Sequence, residues 1–508
     1  MFAMIPILCF VLICLSLRKR SNGDAWRSSF LSASIIWGLS LTIITEILSL
    51  LRSLTFGWLL GLWGVTSIAW ALMYLCPVER NLRLRPMPKI PPALAVLLLG
   101  VSLIVAITGL IALIAPPNNS DSMTYHMSRV VHWIQNRDVA SYPTHILRQL
   151  HQNPWAEFAI MNFQILSSGD RLANLVQWFS MVGSILGVAL IAMQLGAGMR
   201  GQILAAVVYA TFPMGILQAT STQNDYVVSF WLVCFAYYTI ALTVKRATDW
   251  STLLGAGACL GLAILTKATA YLFAFPFLLW LVLSRLKTAR WESWRSPFMI
   301  IFLALSINLG HYGRNLDLYG YVLGPRQERA MYVSEVFTVS SIISNIVRNI
   351  GLHIGTPFER INAVTEKGIR VLHTLMGIET NDPRTTWAGR EFHIPIMSNH
   401  EDKAGNAIHL ALIIMSVCLA LKWGVLRETR SLLHYSIAVT IAFLLVSLFL
   451  KWQPWHSRLH LPLFVLRSPF IAIVLSKIPN HRVAVSIATV LVLAALPWVL
   501  YNKSRPLL

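Results

Sequence analysis

Residues 91–126 read PPALAVLLLGVSLIVAITGLIALIAPPNNSDSMTYH. The first part of this segment, residues 91–115, contains no charged side chain. A helix needs roughly 20 apolar residues to cross the hydrocarbon layer of a bilayer. The run therefore predicts a transmembrane helix, and the polar residues after it predict a loop at the membrane surface.

Apolar runs of this kind recur along the chain. Of its 508 residues, 56% are hydrophobic and only 12% are charged, which excludes an ordinary soluble domain. We predict an all-α, polytopic membrane protein of about 12–14 transmembrane helices, without an internal repeat. The apolar runs lie at 2–17, 29–50, 56–76, 91–115, 172–194, 201–218, 225–244, 252–266, 269–284, 297–312, 406–424, 432–450, 459–476 and 482–501.

The distribution of basic residues predicts which loops lie inside. The first run has no basic residue before it and Arg18, Lys19 and Arg20 after it, the reverse of a cleavable signal peptide. We interpret this run as a retained helix with its N-terminus outside. The inward loops then hold 20 basic and five acidic residues, so most of the net charge of +20 lies inside. This excess indicates topology and contact with anionic membrane lipids, and it requires no nucleic acid.

Two connections are much longer than the others, and this topology puts both outside. The second contains ten basic and ten acidic residues, as expected of a folded layer facing water. Apolar residues at helical spacing in 342–354 and 361–372 predict amphipathic helices there. We expect four regions: an N-terminal three-helix extension (1–90), a transmembrane core (91–312) with the first outer loop (116–171), the second outer loop (313–405) and C-terminal transmembrane helices (406–508).

The first outer loop contains a candidate general base. Asn119 or Ser120 can cap a helix, which places Asp121 in the first turn, where the helix dipole favours an ionised carboxylate. A carboxylate held at the membrane surface suits proton abstraction from an acceptor hydroxyl. Support of the helix start is an equally good interpretation of Asp121. Tyr125 and His126, one turn later, join the candidate site.

Polar side chains before Pro154 form a second candidate group. His145, Arg148, His151, Gln152 and Asn153 are mostly hydrogen-bond donors. An anionic leaving group such as a lipid phosphate needs donors and cations of this kind in an interface of low dielectric constant. An ordinary polar loop is the alternative interpretation.

Charged residues also stand at the predicted outer ends of spans. Asp225 opens one span, Lys267 lies between two short ones, and Arg458 precedes another. A charge so close to hydrocarbon is costly unless it is paired or functional, although a lysine can also extend its amine to water. Arg467, nearer the middle of a span, either pairs with one of these residues or extends toward the surface.

The end of the second outer loop carries His400, Glu401 and Asp402, which are metal-ligand types. Three adjacent residues do not easily converge on one ion, and no HExxH or CxxC spacing is present. We therefore favour acceptor binding or a helix cap, predict no cofactor, and leave a divalent metal as an open alternative. The sequence shows no Walker, GxGxxG or GxSxG motif, so a soluble nucleotide site has no support.

Several of these motifs resemble the GT-C superfamily of membrane glycosyltransferases, in particular its aminoarabinose transferase and protein O-mannosyltransferase branch. Asp121 in DSMTYH matches the carboxylate that opens the first outer helix of that family, and Asp225 matches its outer Asp at a span start. Lys267 in LTK and Arg458 before Leu461-Pro462 also match. The resemblance covers about residues 91–300 in order, with weaker matches to about residue 470. One departure is Gln152-Asn153-Pro154, which stands where aminoarabinose transferases have a phosphate-binding Glu-Lys-Pro.

The resemblance implies an inverting glycosyltransferase that uses a polyprenyl-phosphate sugar donor, with Asp121 as general base. Because the family's lysine is missing, we expect the donor phosphate to be held by Arg148 or His151 in its place, or by Lys267 and Arg458. The resemblance also implies that the site faces the periplasm or exterior of an inner (plasma) membrane. The acceptor can be a lipid, a glycan or a protein. A transporter or lipid flippase is the main alternative, although such proteins usually show repeated halves and midplane charges. A non-catalytic scaffold is a third.

Overall fold

A computed structural model describes residues 2–21, 26–77, 89–244, 249–286 and 292–506. These residues form helices and connecting loops, with two isolated β-bridges and no sheet among them. Several basic residues used for the topology prediction lie outside the described residues: Arg80, Arg83, Arg85, Lys245, Arg246, Lys287 and Arg290.

The helices range in length from four to 25 residues. Ser122–His126 forms a π-helical turn that continues directly into α5. The α-helices are α1 (Met4–Arg20), α2 (Trp26–Leu50), α3 (Phe56–Leu75), α4 (Pro92–Ile114), α5 (Met127–Asn136), α6 (Arg148–His151), α7 (Trp155–Ser167), α8 (Leu175–Gln194), α9 (Met199–Ala210), α10 (Pro213–Gln218), α11 (Asp225–Thr243), α12 (Trp250–Thr266), α13 (Ala270–Leu286), α14 (Glu292–Ile307), α15 (Leu309–Tyr319), α16 (Arg326–Tyr332), α17 (Val339–Gly351), α18 (Glu359–Leu375), α19 (Ala407–Lys422), α20 (Val425–Glu428), α21 (Arg430–Phe449), α22 (His456–Leu459), α23 (Leu461–Ser476) and α24 (His481–Leu500).

Each predicted apolar run coincides with one helix or with a broken pair of helices. Seven helices of the described chain are long and apolar enough to cross a membrane by themselves, and a bent pair raises this number to eight. Four further apolar helices are shorter, namely α12, α13, α19 and α23. The fold class, an all-α polytopic membrane protein, is therefore confirmed.

Two helices form the centre of the bundle. α11 is buried along nearly its whole length and packs against α8, α12, α13 and α23. α23 is buried from Leu461 to Leu475 and contacts α9, α11 and α19. α11 begins at Asp225, and α23 begins just after Arg458. Two of the predicted site residues therefore lie where the two central helices start.

Small residues let two neighbouring helices approach closely. Gly257 and Gly261, one helical turn apart on α12, face α14, where backbone Cα atoms of Ile300 and Ala304 would lie within 3.2 Å of an added Cβ. This is the small-xxx-small arrangement that supports close helix contact in membranes. The contact fixes α12, and with it Lys267 at the C-terminal end of α12.

Two of the predicted spans are broken. Pro213 begins α10 after Thr211 and Phe212 interrupt the run from α9, because proline is favoured in the first turn of a helix and disfavoured in its interior. α14 and α15 meet at Asn308 with a bend of 59°. The Asn308 side chain donates to the carbonyls of Gly261 and Ala304, which anchors the bend to α12.

The second outer loop contains the two predicted helices, α17 and α18. The buried face of α17 is polar and includes Asn345, Arg348 and Asn349, whereas Val339 on the other face is exposed. Exposed apolar residues on α17 and α18 are typical of helices that lie at a lipid surface. The two predicted amphipathic helices are therefore present, and their exposed apolar faces suit a position at the membrane surface.

Arg467 differs from both interpretations of the sequence. It lies in α23, is buried, and pairs with no carboxylate among the described residues. Its guanidinium donates to the hydroxyls of Ser436 and Thr440 on α21. The neighbouring helix offers these hydroxyls at the depth of Arg467, so the charge is solvated inside the bundle.

Candidate active site

The loop at the end of α4 holds Asp121 at the start of a helix. The Asn119 side chain accepts a hydrogen bond from the Ser122 N–H at 2.7 Å, which confirms Asn119 as the capping residue. The Ser122 hydroxyl accepts from Thr222 at 2.6 Å, so the helix start is attached to the segment before α11. Asp121 itself is largely buried, with 14% of its side chain exposed.

Arg458 joins two carboxylates that are distant in sequence. It lies on the short helix α22 and donates to Asp121 Oδ2 at 2.5 Å and to Asp402 Oδ1 at 2.8 Å. Asp402 also accepts from the Gln223 side chain at 3.1 Å. The first outer loop, the second outer loop and the segment before α23 therefore meet at one guanidinium.

A second ion pair lies beside the first. Lys267 Nζ is 2.6 Å from Asp225 Oδ1, and the side chain of Asp225 is almost fully buried. The second carboxylate oxygen of Asp225, Oδ2, is buried without a partner among the described residues. The negative charge of Asp225 also acts on Arg458, so the two pairs form one charged cluster.

Neighbouring charges decide the ionisation of this cluster. Burial raises the pKa of Asp121, but the charges of Arg458 and Arg148 and the hydrogen bond from Arg458 outweigh it and hold the pKa below its usual value. Burial lowers the pKa of Arg458, and Asp121, Asp402 and Asp225 more than reverse this change. Asp121 is therefore ionised and Arg458 is charged at neutral pH.

Arg148 and Tyr125 form the more exposed side of the cluster. Arg148 Nη1 lies 3.6 Å from Asp121 Oδ1, and the Arg148 side chain is 38% exposed. The Arg148 guanidinium also stacks over the ring of Tyr125, 5.1 Å from its centre. Arg148 thus contacts Asp121 on the side opposite Arg458 and has the most freedom of the cations to meet a ligand.

Four predicted residues lie apart from Asp121. His126 is buried and pairs with Glu157 at 2.5 Å. Asn153 donates to the carbonyl of Ile264 at 2.8 Å, so it fixes the loop to α12. His151 lies 3.8 Å from Glu328, and burial lowers the pKa of His151 to about 4. Within the described part of the chain, His145 makes no hydrogen bond or ion pair with the cluster.

The three adjacent residues of the second loop point to different partners. Asp402 joins the cluster, while Glu401 contacts Arg505 at 3.0 Å and is fully buried. His400 is partly exposed, and its ring nitrogen accepts from the Asp402 N–H at 3.2 Å. None of the three caps α19, whose preceding residue Asn406 accepts from the Met214 N–H instead. The helix-cap alternative for these residues is therefore wrong.

Three further charged residues, Glu157, Arg129 and Arg505, were not predicted from the sequence. Glu157 and Arg129 are buried 3.5 Å apart, and Arg129 stacks on Trp133. They connect α5 to α7 and so support the helix that carries Asp121. The sequence contains a signal for Glu157, since it is a carboxylate within the apolar segment of α7 and such a residue is seldom buried without a partner.

Residues 154–311 match the family model of dolichyl-phosphate-mannose-protein mannosyltransferases. The matched region runs from the start of α7 into α15 and includes Asp225 and Lys267. It includes neither Asp121 nor Arg458. No curated protein matches the sequence.

Three solved structures are similar to the chain. ArnT from Cupriavidus metallidurans bound to undecaprenyl phosphate aligns at 15% identity over 76% of this chain and 61% of that one, with a TM-score of 0.49. The archaeal oligosaccharyltransferase AglB from Archaeoglobus fulgidus, in complex with an inhibitory peptide and a dolichol-phosphate, aligns at 14% identity over 79% and 55%, with a TM-score of 0.39. An apo form of the Archaeoglobus fulgidus oligosaccharyltransferase aligns at 15% identity over the same shares, with a TM-score of 0.41.

The aligned part of the chain spans less than two thirds of the length of these structures. All three TM-scores are below 0.5, so the fold assignment rests on the helices described above. The family match covers 158 of the 508 residues and supports the predicted resemblance to membrane glycosyltransferases over that region.

Proposed function

We propose that this protein transfers a sugar from a polyprenyl-phosphate-linked donor to an acceptor on the outer face of its membrane, with inversion at the sugar and Asp121 as general base. The observation that carries the proposal is the position of Asp121 between Arg458 and Arg148, beside the Lys267–Asp225 pair. We place this face at the periplasm or exterior of an inner (plasma) membrane. The family description supports the donor class, since it names a mannose carried on dolichyl phosphate.

Asp121 suits the role of general base because it is ionised and fixed. Its ionised form persists to low pH, and Arg458 orients the carboxylate through one oxygen, Oδ2. The other oxygen, Oδ1, faces the more exposed Arg148 and is the better acceptor for the proton of a hydroxyl. As that proton leaves, the acceptor oxygen bonds to the anomeric carbon, and the bond from that carbon to the phosphate oxygen breaks.

The cations suit the role of stabilising the departing lipid phosphate. Arg148, Lys267 and Arg458 surround the cluster, and each lies within 3.6 Å of a carboxylate oxygen. A phosphate that enters must share these cations with Asp121, Asp225 and Asp402. Charge-assisted hydrogen bonds of this kind strengthen as negative charge develops on the leaving group, which lowers the barrier to transfer.

The proposal makes the acceptor a hydroxyl of a lipid, a glycan or a protein, approaching from the side of Arg148. Tyr125, His400 and the exposed part of Arg148 are the groups of the candidate site that such an acceptor meets first. His151 lies farther out, beside Glu328 of α16. No metal or other cofactor is required by this sequence of steps.

The experiment uses the full chain in lipid nanodiscs with a panel of short-chain polyprenyl-phosphate sugars. We expect release of polyprenyl phosphate and a glycosylated acceptor of inverted anomeric configuration from at least one donor. Asp170→Asn serves as a matched control, because Asp170 is an exposed carboxylate of the same loop. If the intact donor lipid crosses the bilayer in proteoliposomes without losing its sugar, the protein is a flippase and the proposal is wrong.

A further inference from the structure

The segment Tyr501–Pro506, which follows α24, folds back onto the end of the bundle that holds the candidate active site. The Lys503 N–H donates to the carbonyl of Asn399 at 3.1 Å, and the Asn399 side chain donates to the carbonyl of Tyr501 at 2.9 Å. Asn502 is buried and donates to the Thr220 hydroxyl at 3.2 Å. The segment is thus attached to the second outer loop and to the connection between α10 and α11.

Arg505 is the most buried charge of this segment. Its Nη1 donates to Asn118 Oδ1 at 2.7 Å, its Nε donates to the Thr220 hydroxyl at 3.1 Å, and its Nη2 lies 3.0 Å from Glu401 Oε1. The side chains of Arg505 and Glu401 are 1% and 0% exposed. Three nitrogens of one guanidinium therefore contact three separate parts of the chain.

Each partner of Arg505 lies close in sequence to a carboxylate of the candidate active site. The pairs are Asn118 with Asp121, Thr220 with Asp225, and Glu401 with Asp402. Asp121 and Asp402 lie in the two outer loops and Asp225 lies at the end of a third loop, where α11 begins, and among the described residues Asp121 and Asp402 share a direct partner, Arg458. Arg505 supplies a second connection among the loops, behind the carboxylates.

A buried ion pair is a poor source of net stability, because the cost of removing two charges from water offsets their attraction. Its better supported use is to fix one arrangement of the groups around it. Arginine is also the side chain whose rigid planar fork donates in several fixed directions, which lysine cannot reproduce. Arg505 donates hydrogen bonds through Nε and Nη1 in two such directions, while Nη2 contacts Glu401 as an ion pair without a well-directed hydrogen bond.

We propose that Arg505 is a positioning residue that sets the spacing of the three loops carrying Asp121, Asp225 and Asp402. Its catalytic consequence rests on the proposed glycosyl transfer, whereas its effect on the loops does not. Loss of the fork lets the loops move relative to one another while the membrane-spanning helices remain packed. Because misplacement of reacting groups by about 1 Å can cost a hundredfold in rate, we expect a large effect on turnover and a small one on donor binding.

The test compares Arg505→Lys, which keeps the charge but loses the fork, with Lys503→Gln, which changes an exposed side chain of the same segment. Hydrogen exchange measured by mass spectrometry reports on the loops, and steady-state kinetics report on transfer. In Arg505→Lys we expect faster exchange in residues 116–123, 219–224 and 395–406 and unchanged exchange in α17 and α18. We expect kcat to fall at least tenfold, with the donor KM within threefold of wild type. Lys503→Gln should match wild type in both measurements.

Wild-type exchange and turnover in Arg505→Lys would overturn the proposal. So would faster exchange spread evenly over α17, α18 and the three loops, because that pattern indicates general loss of structure. Glu401→Gln gives a second route to the same answer, since it keeps the shape of the side chain and removes its charge. If the wild-type protein transfers sugar from no donor, the proposed function fails, and the exchange pattern still decides the positioning role.

Discussion

At the scale of single residues, Arg458 has two roles that can be separated. It orients Asp121, and under the proposed mechanism it also stabilises the departing phosphate. Lys267 and Arg148 hold different carboxylates and have different exposure, at 17% and 38% of the side chain. The three cations should therefore fail differently when removed.

We predict that Arg458→Ala, Arg148→Ala and Lys267→Ala each weaken donor use, because each removes a charge-assisted contact worth about 1.5 to 3 kcal/mol. A cation that holds the bound phosphate should raise the donor KM when it is removed. One that stabilises only the departing charge should lower kcat at saturating donor. We expect Arg458→Ala to have the largest effect. Normal kinetics in all three variants would remove the phosphate site from this cluster.

Lys267→Ala needs its own control, because it leaves the buried carboxylate of Asp225 without a cation. An uncompensated buried charge destabilises a protein independently of catalysis. The double variant Lys267→Ala with Asp225→Asn removes the uncompensated buried charge. If the double variant restores thermal stability but not donor use, Lys267 acts on the donor. Recovery of both identifies the pair as a structural element.

The pH dependence of transfer gives a second residue-scale prediction. Asp121 must be ionised to act as a base, and the charges of Arg458 and Arg148 keep its pKa below the usual value. Arg458→Gln removes a charge that lowers the pKa of Asp121, whereas the burial that raises this pKa remains. The pKa of Asp121 therefore rises, and Asp121 becomes protonated, and unable to act as a base, at a higher pH. The acid limb of kcat/KM should therefore move to higher pH in Arg458→Gln, whatever the loss of absolute rate. An acid limb at an unchanged pH would show that Asp121 is not the titrating base.

The sequence predicts the individual residues of the cluster better than it predicts how they pair. Asp121, Asp225, Lys267 and Arg458 stand at ends of apolar runs, where a charge is conspicuous. Their common position follows from counting the membrane crossings between them. The pairing of Asp121 with Arg458 spans 337 positions of the chain, and no local pattern specifies it. Arg505 was missed because it stands among polar residues after the last span, where a charge needs no explanation.

At the scale of helices, α17 attaches the second outer loop to the membrane bundle. Asn345 and Asn349 on its polar face donate to the carbonyl and hydroxyl oxygens of Ser447 on α21. His353, just after α17, shares a hydrogen bond of 3.0 Å with His460 at the start of α23. These contacts fix the second outer loop, which places Asp402 at the candidate site.

The periodicity of residues 342–354 predicted α17 correctly but could not specify which face is buried. Helical spacing marks an apolar stripe, and in a soluble domain that stripe faces the core. At a membrane surface, lipid would be a second apolar environment for the stripe, which leaves the polar face of α17 to pack against the rest of the loop and the ends of the spans. The polar contacts of Arg348 then provide the local core.

Arg348 is the central residue of this local core. It donates to the carbonyl of Thr380 at 2.7 Å and to the hydroxyl of Thr386 at 2.6 Å, and it lies over the ring of Trp452. Burial lowers the pKa of Arg348 to about 9, which leaves it charged at neutral pH. Each of its acceptors is left unsatisfied when the guanidinium is removed.

We predict that Arg348→Met destabilises the second outer loop by about 3 kcal/mol, since unsatisfied buried acceptors and the loss of hydrogen bonds from a charged donor both contribute. Limited proteolysis should then cleave residues 376–400 much faster than in the wild type. Arg360→Met, on the exposed side of α18, is the matched control and should leave the cleavage rate unchanged. Equal protection of the two variants would show that Arg348 is dispensable for the layer.

At the scale of the whole molecule, the two long loops, the segment after α24 and the ends of α11, α12 and α22 meet at one end of the bundle. Contacts between Asp121, Asp402, Arg458 and Arg505 with its partners require these parts of the chain to lie on the same side. An even number of predicted crossings separates each of these segments from the next. The charge distribution predicts that this side is the outside.

Cysteine labelling tests that orientation. In a background without native cysteines, Glu391→Cys in the second outer loop should react with a membrane-impermeant thiol reagent added to intact cells. Arg427→Cys, in a loop predicted to face inward, should react only after permeabilisation. Both native side chains are exposed, so burial does not confuse the comparison. The opposite pattern would reverse the orientation and remove the basis for an outward-facing site.

Under the proposed function, Asp121 is the general base of a sugar transfer from a lipid phosphate. The most direct test measures single-turnover transfer and donor binding for Asp121→Asn in nanodiscs, with Asp170→Asn beside it. The amide keeps the shape of the side chain and removes the base, so transfer should fall by about a hundredfold or more while donor binding stays within a few-fold of wild type. Asp170→Asn should transfer normally. Transfer by Asp121→Asn within a few-fold of the wild-type rate would show that Asp121 is not the base and only supports the start of a helix.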